Sequence, residues 1–211
     1  MAVMILATVA GADDPAAALA VLRAEPRRPE RRDHTLAAEG ADRAAAAGDE
    51  ASYRIAGEIW LLAHRAHRDP ADLATALDRL ERASRQPGAA GCDAALAVAR
   101  THAEFGRLPA GWLAFHRLTR RCPEGVHREA ADRALAILGA FRAPADAVAA
   151  VDRDPEAPLP ALPVRAADAG PPDAGAAADA GPPPADAAPA STRPRGPEKM
   201  IIRFSDGGSS R

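Results

Sequence analysis

Between Ser52 and Phe141 the apolar residues return every three or four positions, and proline or glycine interrupts the pattern at short intervals. Ile55, Ile59, Leu62 and Ala66 form one stripe, and Leu73, Leu77 and Leu80 a second. Ala131, Ala134, Leu135, Leu138 and Phe141 form a later one. Such spacing gathers apolar side chains on one face of a helix, whereas a half-buried strand needs alternation at every second residue. No stretch before residue 198 alternates in that way. "RDPAD" (Arg68 to Asp72), "QPGAAG" (Gln86 to Gly91) and "RAPAD" (Arg142 to Asp146) each end a helix. Helices are therefore predicted from Ser52 to the first break and from there to the second, then over Asp93 to Phe105, Ala110 to Arg121 and from Gly125 onward. A short helix follows Asp146, and Ala16 to Ala24 and Thr35 to Gly48 are helical in composition. Connections this short make successive helices antiparallel, so the fold class is all-α, an array of antiparallel helical hairpins.

The hairpins repeat. Trp60 and Ala95, Leu80 and Phe115, and Ala83 and Leu118 each stand 35 residues apart, and Pro87 and Pro123 stand 36 apart. Within Cys92 to Pro123 small residues fall at Ala95, Ala99 and Gly111, a turn glycine at Gly106, an aromatic at Phe115 and a closing proline at Pro123. The small residues suit the crossing of two helices, and Trp112, Phe115 and Leu118 supply bulk between neighbouring hairpins. This order resembles the tetratricopeptide repeat, a helix-turn-helix unit with a period of about 34 residues. It departs from that pattern at Ala95 and His102, which stand where tryptophan and tyrosine are usual, and at "HRDPAD", where the earlier unit should turn. The resemblance covers residues 53–142, and the looser tetratricopeptide-like solenoids of bacterial envelope proteins fit it better than the strict family. Such arrays expose a concave face that binds peptides or partner helices. The resemblance implies partner-binding residues at Tyr53, Arg54, Trp60, His67, Arg100 and His102.

Composition limits the core. Apolar residues make up 47% of the chain but aromatics only 3%, because most of that share is alanine. Alanine favours helix and buries little surface, so the helices must approach closely. With 27 Lys and Arg against 29 Asp and Glu, nothing favours nucleic acid or an anionic membrane as the main partner. The basic stretch "RAEPRRPERR" (Arg23 to Arg32) reads as a solvated loop.

The ends differ from the middle. Residues 1–12 contain an apolar run, Ala2 to Ala10, followed by a small-x-small pattern. They read as a truncated secretory signal, with an ordinary buried helix turn as the alternative. The run is too short to span a bilayer. The helical domain occupies residues 13–152. Residues 153–197, with "DAGPP" repeated at Asp168 and Asp179, read as a disordered linker that lacks the large apolar side chains needed to offset chain entropy. Residues 198–211 regain strand character at Met200, Ile201, Ile202 and Phe204, as the start of a β domain. There "IRFSDGGSSR" resembles the opening strand and turn of the AMIN domain of bacterial cell-wall amidases. That resemblance implies the non-catalytic front of an N-acetylmuramoyl-L-alanine amidase, a zinc hydrolase of peptidoglycan whose metal ligands have no counterpart here.

No catalytic constellation, cofactor motif or metal-ligand set emerges from the sequence. Cys92 and Cys122 are equidistant from the turn at Gly106–Pro109, so an antiparallel hairpin brings them together at its open end. They form a disulfide in an oxidising compartment or two half-buried thiols in the cytosol. His64 and His67 share a helical turn but have no acidic or thiol partner in sequence, and read as solvated surface residues; His102 and His116 read as repeat-position fillers. The expectation is a protein-interaction or scaffold module of the bacterial envelope, periplasmic or secreted (cytoplasmic as the alternative). Its partner is a protein or peptide, with peptidoglycan association as a variant of that reading.

Overall fold

The computed structural model describes residues 14–24 and 29–162. The proposed signal segment, most of the linker and the terminal strand lie outside them. The chain divides at residue 163 into two units, and all described residues belong to the first.

Eight α-helices are described: α1 Pro15–Ala24, α2 Arg31–Ala46, α3 Ser52–His67, α4 Pro70–Ser84, α5 Gly88–Glu104, α6 Leu108–Arg121, α7 Gly125–Ile137 and α8 Ala145–Arg153. There is no strand among the described residues. Local chemistry sets several boundaries. The Asp69 side chain accepts from the Ala71 N–H at 2.8 Å with Pro70 behind it, which starts α4. Glu30 and Asp33 form a reciprocal capping box at the head of α2. Arg68, with φ of 61°, closes α3 in the left-handed region. Gly106 takes φ of 75° in the turn between α5 and α6, where a side chain would be strained.

Several boundaries differ from the sequence reading. Helix α2 starts at Arg31 rather than Thr35, so Arg31 and Arg32 belong to it and not to a solvated loop. Helix α5 starts at Gly88 rather than Asp93, because "GAAG" continues as helix once Pro87 has capped it. Helix α6 starts at Leu108, using Pro109 in its first turn. Helix α7 ends at Ile137, and Phe141 lies in a 3₁₀ turn, Gly139–Phe141, off the face expected for it.

Every helix from α1 to α6 packs on its successor, and α8 returns to pack on α6. Close approach replaces bulk. A methyl group added to Gly57 on α3 would lie 2.7 Å from Leu80 Cγ and 3.1 Å from the Ala76 carbonyl oxygen on α4. One added to Gly111 on α6 would lie 3.1 Å from the Ala103 nitrogen on α5. Gly111 therefore crosses α5 at Ala103, one turn beyond Ala99. Ile59, Leu80, Val98, Leu113, Phe115, Leu118 and Leu138 are the most completely sealed large apolar side chains; Leu19, Leu22, Leu73, Leu77 and Trp112 are also buried, and alanines fill much of the remainder. At about 25 cal/mol per Å² of apolar area, such a thin core depends on many small burials, none dominant.

Candidate interaction surface

Ion pairs join helices that are one hairpin apart. Among the odd-numbered helices, Arg23 of α1 reaches Glu58 of α3, 35 residues away. Arg65 of α3 forms a two-pronged bridge to Glu104 of α5, 39 residues away, at 2.8 and 2.6 Å. His127 Nε2 of α7 lies 2.7 Å from an Asp93 oxygen of α5, 34 residues away. The even-numbered helices do the same. Arg79 of α4 bridges to Asp42 of α2, 37 residues away. Arg117 of α6 reaches Glu81 of α4 at 2.8 Å, 36 residues away. His116 and Arg120 of α6 both meet Asp152 of α8. Side-chain bridges thus run along two rows, odd with odd and even with even, at roughly the tetratricopeptide period.

Most of these pairs are at least partly exposed, where each contributes about 0–1 kcal/mol. Arg117 differs, because only 2% of its side chain is exposed. It also donates to the Ala157 carbonyl beyond α8, and its Nε has no partner among the described residues. A buried charge held this way is costly to strand.

The six residues expected on a binding face are not brought together. Tyr53, Trp60 and His67 lie seven residues apart along one side of α3; Tyr53 and Trp60 are half-buried and His67 is exposed. The Arg82 guanidinium of α4 sits 5.9 Å from the Tyr53 ring centre. Trp60 packs on the apolar cluster of α1, α2 and α3, with its indole N–H buried and unpartnered among the described residues. The His67 ring stands edge-on to His34 of α2 at 5.4 Å. Arg54 lies elsewhere on α3, exposed, and pairs with Glu58 at 2.9 Å. On α5, Arg100 and His102 are about half a helical turn apart. Both are half-buried, and His102 Nδ1 is sealed from solvent without a described partner. Burial first, then the neighbouring charges of Arg107 and Arg117, hold the His102 imidazole down at about 4.

The reading of His64 as a solvated histidine is wrong. It is buried, its Nδ1 lies 2.6 Å from the Asp69 carbonyl, and its ring stands edge-on to Phe105 at 4.7 Å. Its place at the foot of α3 puts it under the α5–α6 turn, so it fastens two hairpins. His34 was not singled out from sequence; it is also buried, and desolvation pulls its titration down despite a bond to the Glu30 carbonyl. Among the described residues no group of three or more His, Cys, Asp or Glu side chains is placed to hold a metal ion.

Cys92 and Cys122 are joined in a disulfide with Cα atoms 6.2 Å apart. It ties the first turns of α5 to the end of α6. Trp112 of the same hairpin stacks nearly parallel on the His116 ring at 5.3 Å, and the Arg142 guanidinium lies 5.3 Å from the Trp112 ring centre. The aromatic bulk thus holds the α5–α6 hairpin to the segment between α7 and α8.

The features define a stacked helical-hairpin array. The chain matches no protein-family model, and comparison with curated proteins and with solved structures likewise finds no match. Among the described residues no helix is long and apolar enough to cross a membrane.

Proposed function

We propose that this chain is a protein-interaction scaffold of the bacterial cell envelope, built as a tetratricopeptide-like array and without catalytic chemistry in its helical part. The observation that carries the reading is the pair of ion-pair rows. They stack equivalent helices side by side, and the odd row leaves a charged strip along α1, α3, α5 and α7 that includes Arg23, Arg54, Glu58, Arg65 and Glu104. Arg65 and Glu104 remain 46% and 42% exposed while paired, so a partner can exchange its own charges into the strip. Arrays of this kind bind extended segments along such a surface. The Cys92–Cys122 disulfide suits an oxidising compartment, which supports an envelope location.

The test is retention of envelope proteins on the immobilised full chain, compared with an Arg54→Glu/Arg65→Glu variant and with a peptidoglycan arm. A protein held by the native chain, lost with the variant and binding again when purified supports the reading. Equal retention on both, or none on either, overturns it.

A further inference from the structure

Three large apolar side chains are exposed among the described residues, Val126 at 71%, Ile137 at 56% and Phe141 at 38%, and all lie in α7 or the 3₁₀ turn that follows it. Val126 and Ile137 are 11 residues apart, three turns of helix, so they share one side of α7 with Ala130 and Arg133 between them. The opposite side of α7, through Ala131, Ala134 and Leu138, is buried against the rest of the array. Helix α8 packs on α6 and leaves this stripe open.

We infer that this side of α7 pairs with the same helix of a second copy, antiparallel, about a two-fold axis level with Ala131 and Asp132. The stripe is self-complementary about that point. Val126 of one copy meets Ile137 of the other, and the small Ala130 receives the stem of Arg133. The flanking charges agree. Glu129 and Arg133 of one copy form the loosest ion pair described, 3.9 Å long with side chains 70% and 72% exposed, so neither is committed within its own chain. In an antiparallel pair a two-fold axis sets Glu129 of each copy beside Arg133 of the other, on the same edge of the interface, which gives two reciprocal bridges. A closed two-fold contact uses one patch twice and leaves nothing to propagate. The patch is small beside the 1,200–2,000 Å² of a standard interface, so the dimer is weak and concentration-dependent. Pairing would join two odd-row strips into a bivalent scaffold, yet it does not rest on partner binding.

Sedimentation of the full chain from low micromolar to near-millimolar concentration is the test. The native chain is expected to shift from monomer to dimer, and Ile137→Glu to remain monomeric with an unchanged helical spectrum. Glu129→Arg and Arg133→Glu should each weaken the dimer at least tenfold, because each sets like charges together, and the double exchange should restore it. A native chain that stays monomeric throughout overturns the inference. So does a dimer indifferent to Ile137→Glu, or single charge reversals that the double variant does not rescue.

Discussion

Acid should loosen this protein through His102. Its Nδ1 is sealed without a partner between α5 and α6, and its titration is held at about 4 against an ordinary value of 6.5. A histidine lowered in this way is neutral in the folded chain while the unfolded chain already binds a proton. Between the two values the unfolded state takes up more protons, so stability falls as pH falls. From pH 7 to pH 5 the linkage amounts to about 2 kcal/mol, and by pH 4 to about 3 kcal/mol, at 1.36 kcal/mol per pH unit of difference. Urea unfolding of the native chain and of His102→Leu, each at pH 7 and pH 5, isolates this contribution, because His34 and the carboxylates are common to both proteins. With a urea dependence of about 2 kcal/mol per molar, the native midpoint should drop about 1 M further than the variant's. Leucine also removes a buried unpartnered nitrogen, so the variant should be no less stable at pH 5. Equal losses in the two proteins would refute the burial argument.

Four further outcomes are expected. Gly91→Ala would put a methyl carbon 1.8 Å from the Gln86 carbonyl oxygen, so the α4–α5 turn must move; a loss of about 3 kcal/mol should lower the thermal midpoint by about 6–12 °C. Gly111→Ala should be nearly neutral in the same assay, because about 1 kcal/mol of helix propensity offsets the 3.1–3.3 Å contacts with Ala103. Arg117→Leu leaves Glu81 without its bridge and should cost about 3 kcal/mol in urea, whereas Arg117→Leu/Glu81→Leu should recover a good part of it. Reducing Cys92–Cys122, which closes a separation of 30 residues, should cost about 3–4 kcal/mol in chain-entropy terms, read as the midpoint difference with and without dithiothreitol.

How much of the architecture was legible depends on how local each signal is. Helix periodicity and proline breaks are local: α3 ends, and α4 and α8 begin, where "RDPAD" and "RAPAD" direct. The N-terminal reach of α5 was missed because glycine and alanine in "GAAG" carry no period, and only Pro87 ahead of them marks the start. The six proposed binding residues came from repeat position, which says which helix a residue occupies but little about which way it turns. Trp60 packs on the apolar cluster and Tyr53 lies under Arg82 of α4, because a large ring beside so many alanines is drawn into the gaps they leave, while His67 stays exposed and only its ring edge meets His34 of α2. His64 is buried for a different reason: the Asp69 carbonyl, at the head of α4, sits within reach of its ring.

The ion-pair rows are non-local, yet they had a signal. Opposite charges recur at about the repeat period, as in Arg23 with Glu58, Asp42 with Arg79 and Arg65 with Glu104, 35 to 39 residues apart. A search for charge complementarity at the repeat period would have found them where a search for identical residues did not. The physical reason is the alanine content. When apolar area between hairpins is small, register along the stack is weakly specified by packing, and a one-turn slip loses little burial. Charges placed one repeat apart penalise that slip, because one turn away each arginine's acidic partner is replaced by alanine, leucine or another arginine. The rows therefore set register more than they add stability, as expected for pairs worth about 1 kcal/mol or less apiece. Concentrated salt should accordingly blur the stacking before it unfolds the helices. In about 1 M sodium chloride, where charges screen within about 3 Å, amide exchange should quicken first at the α2–α4 and α3–α5 contacts. The α5–α6 hairpin, held by Cys92–Cys122 and the close approach at Gly111, should stay protected. Uniform quickening across all the described helices would show that the array has no such division and that packing alone sets its register.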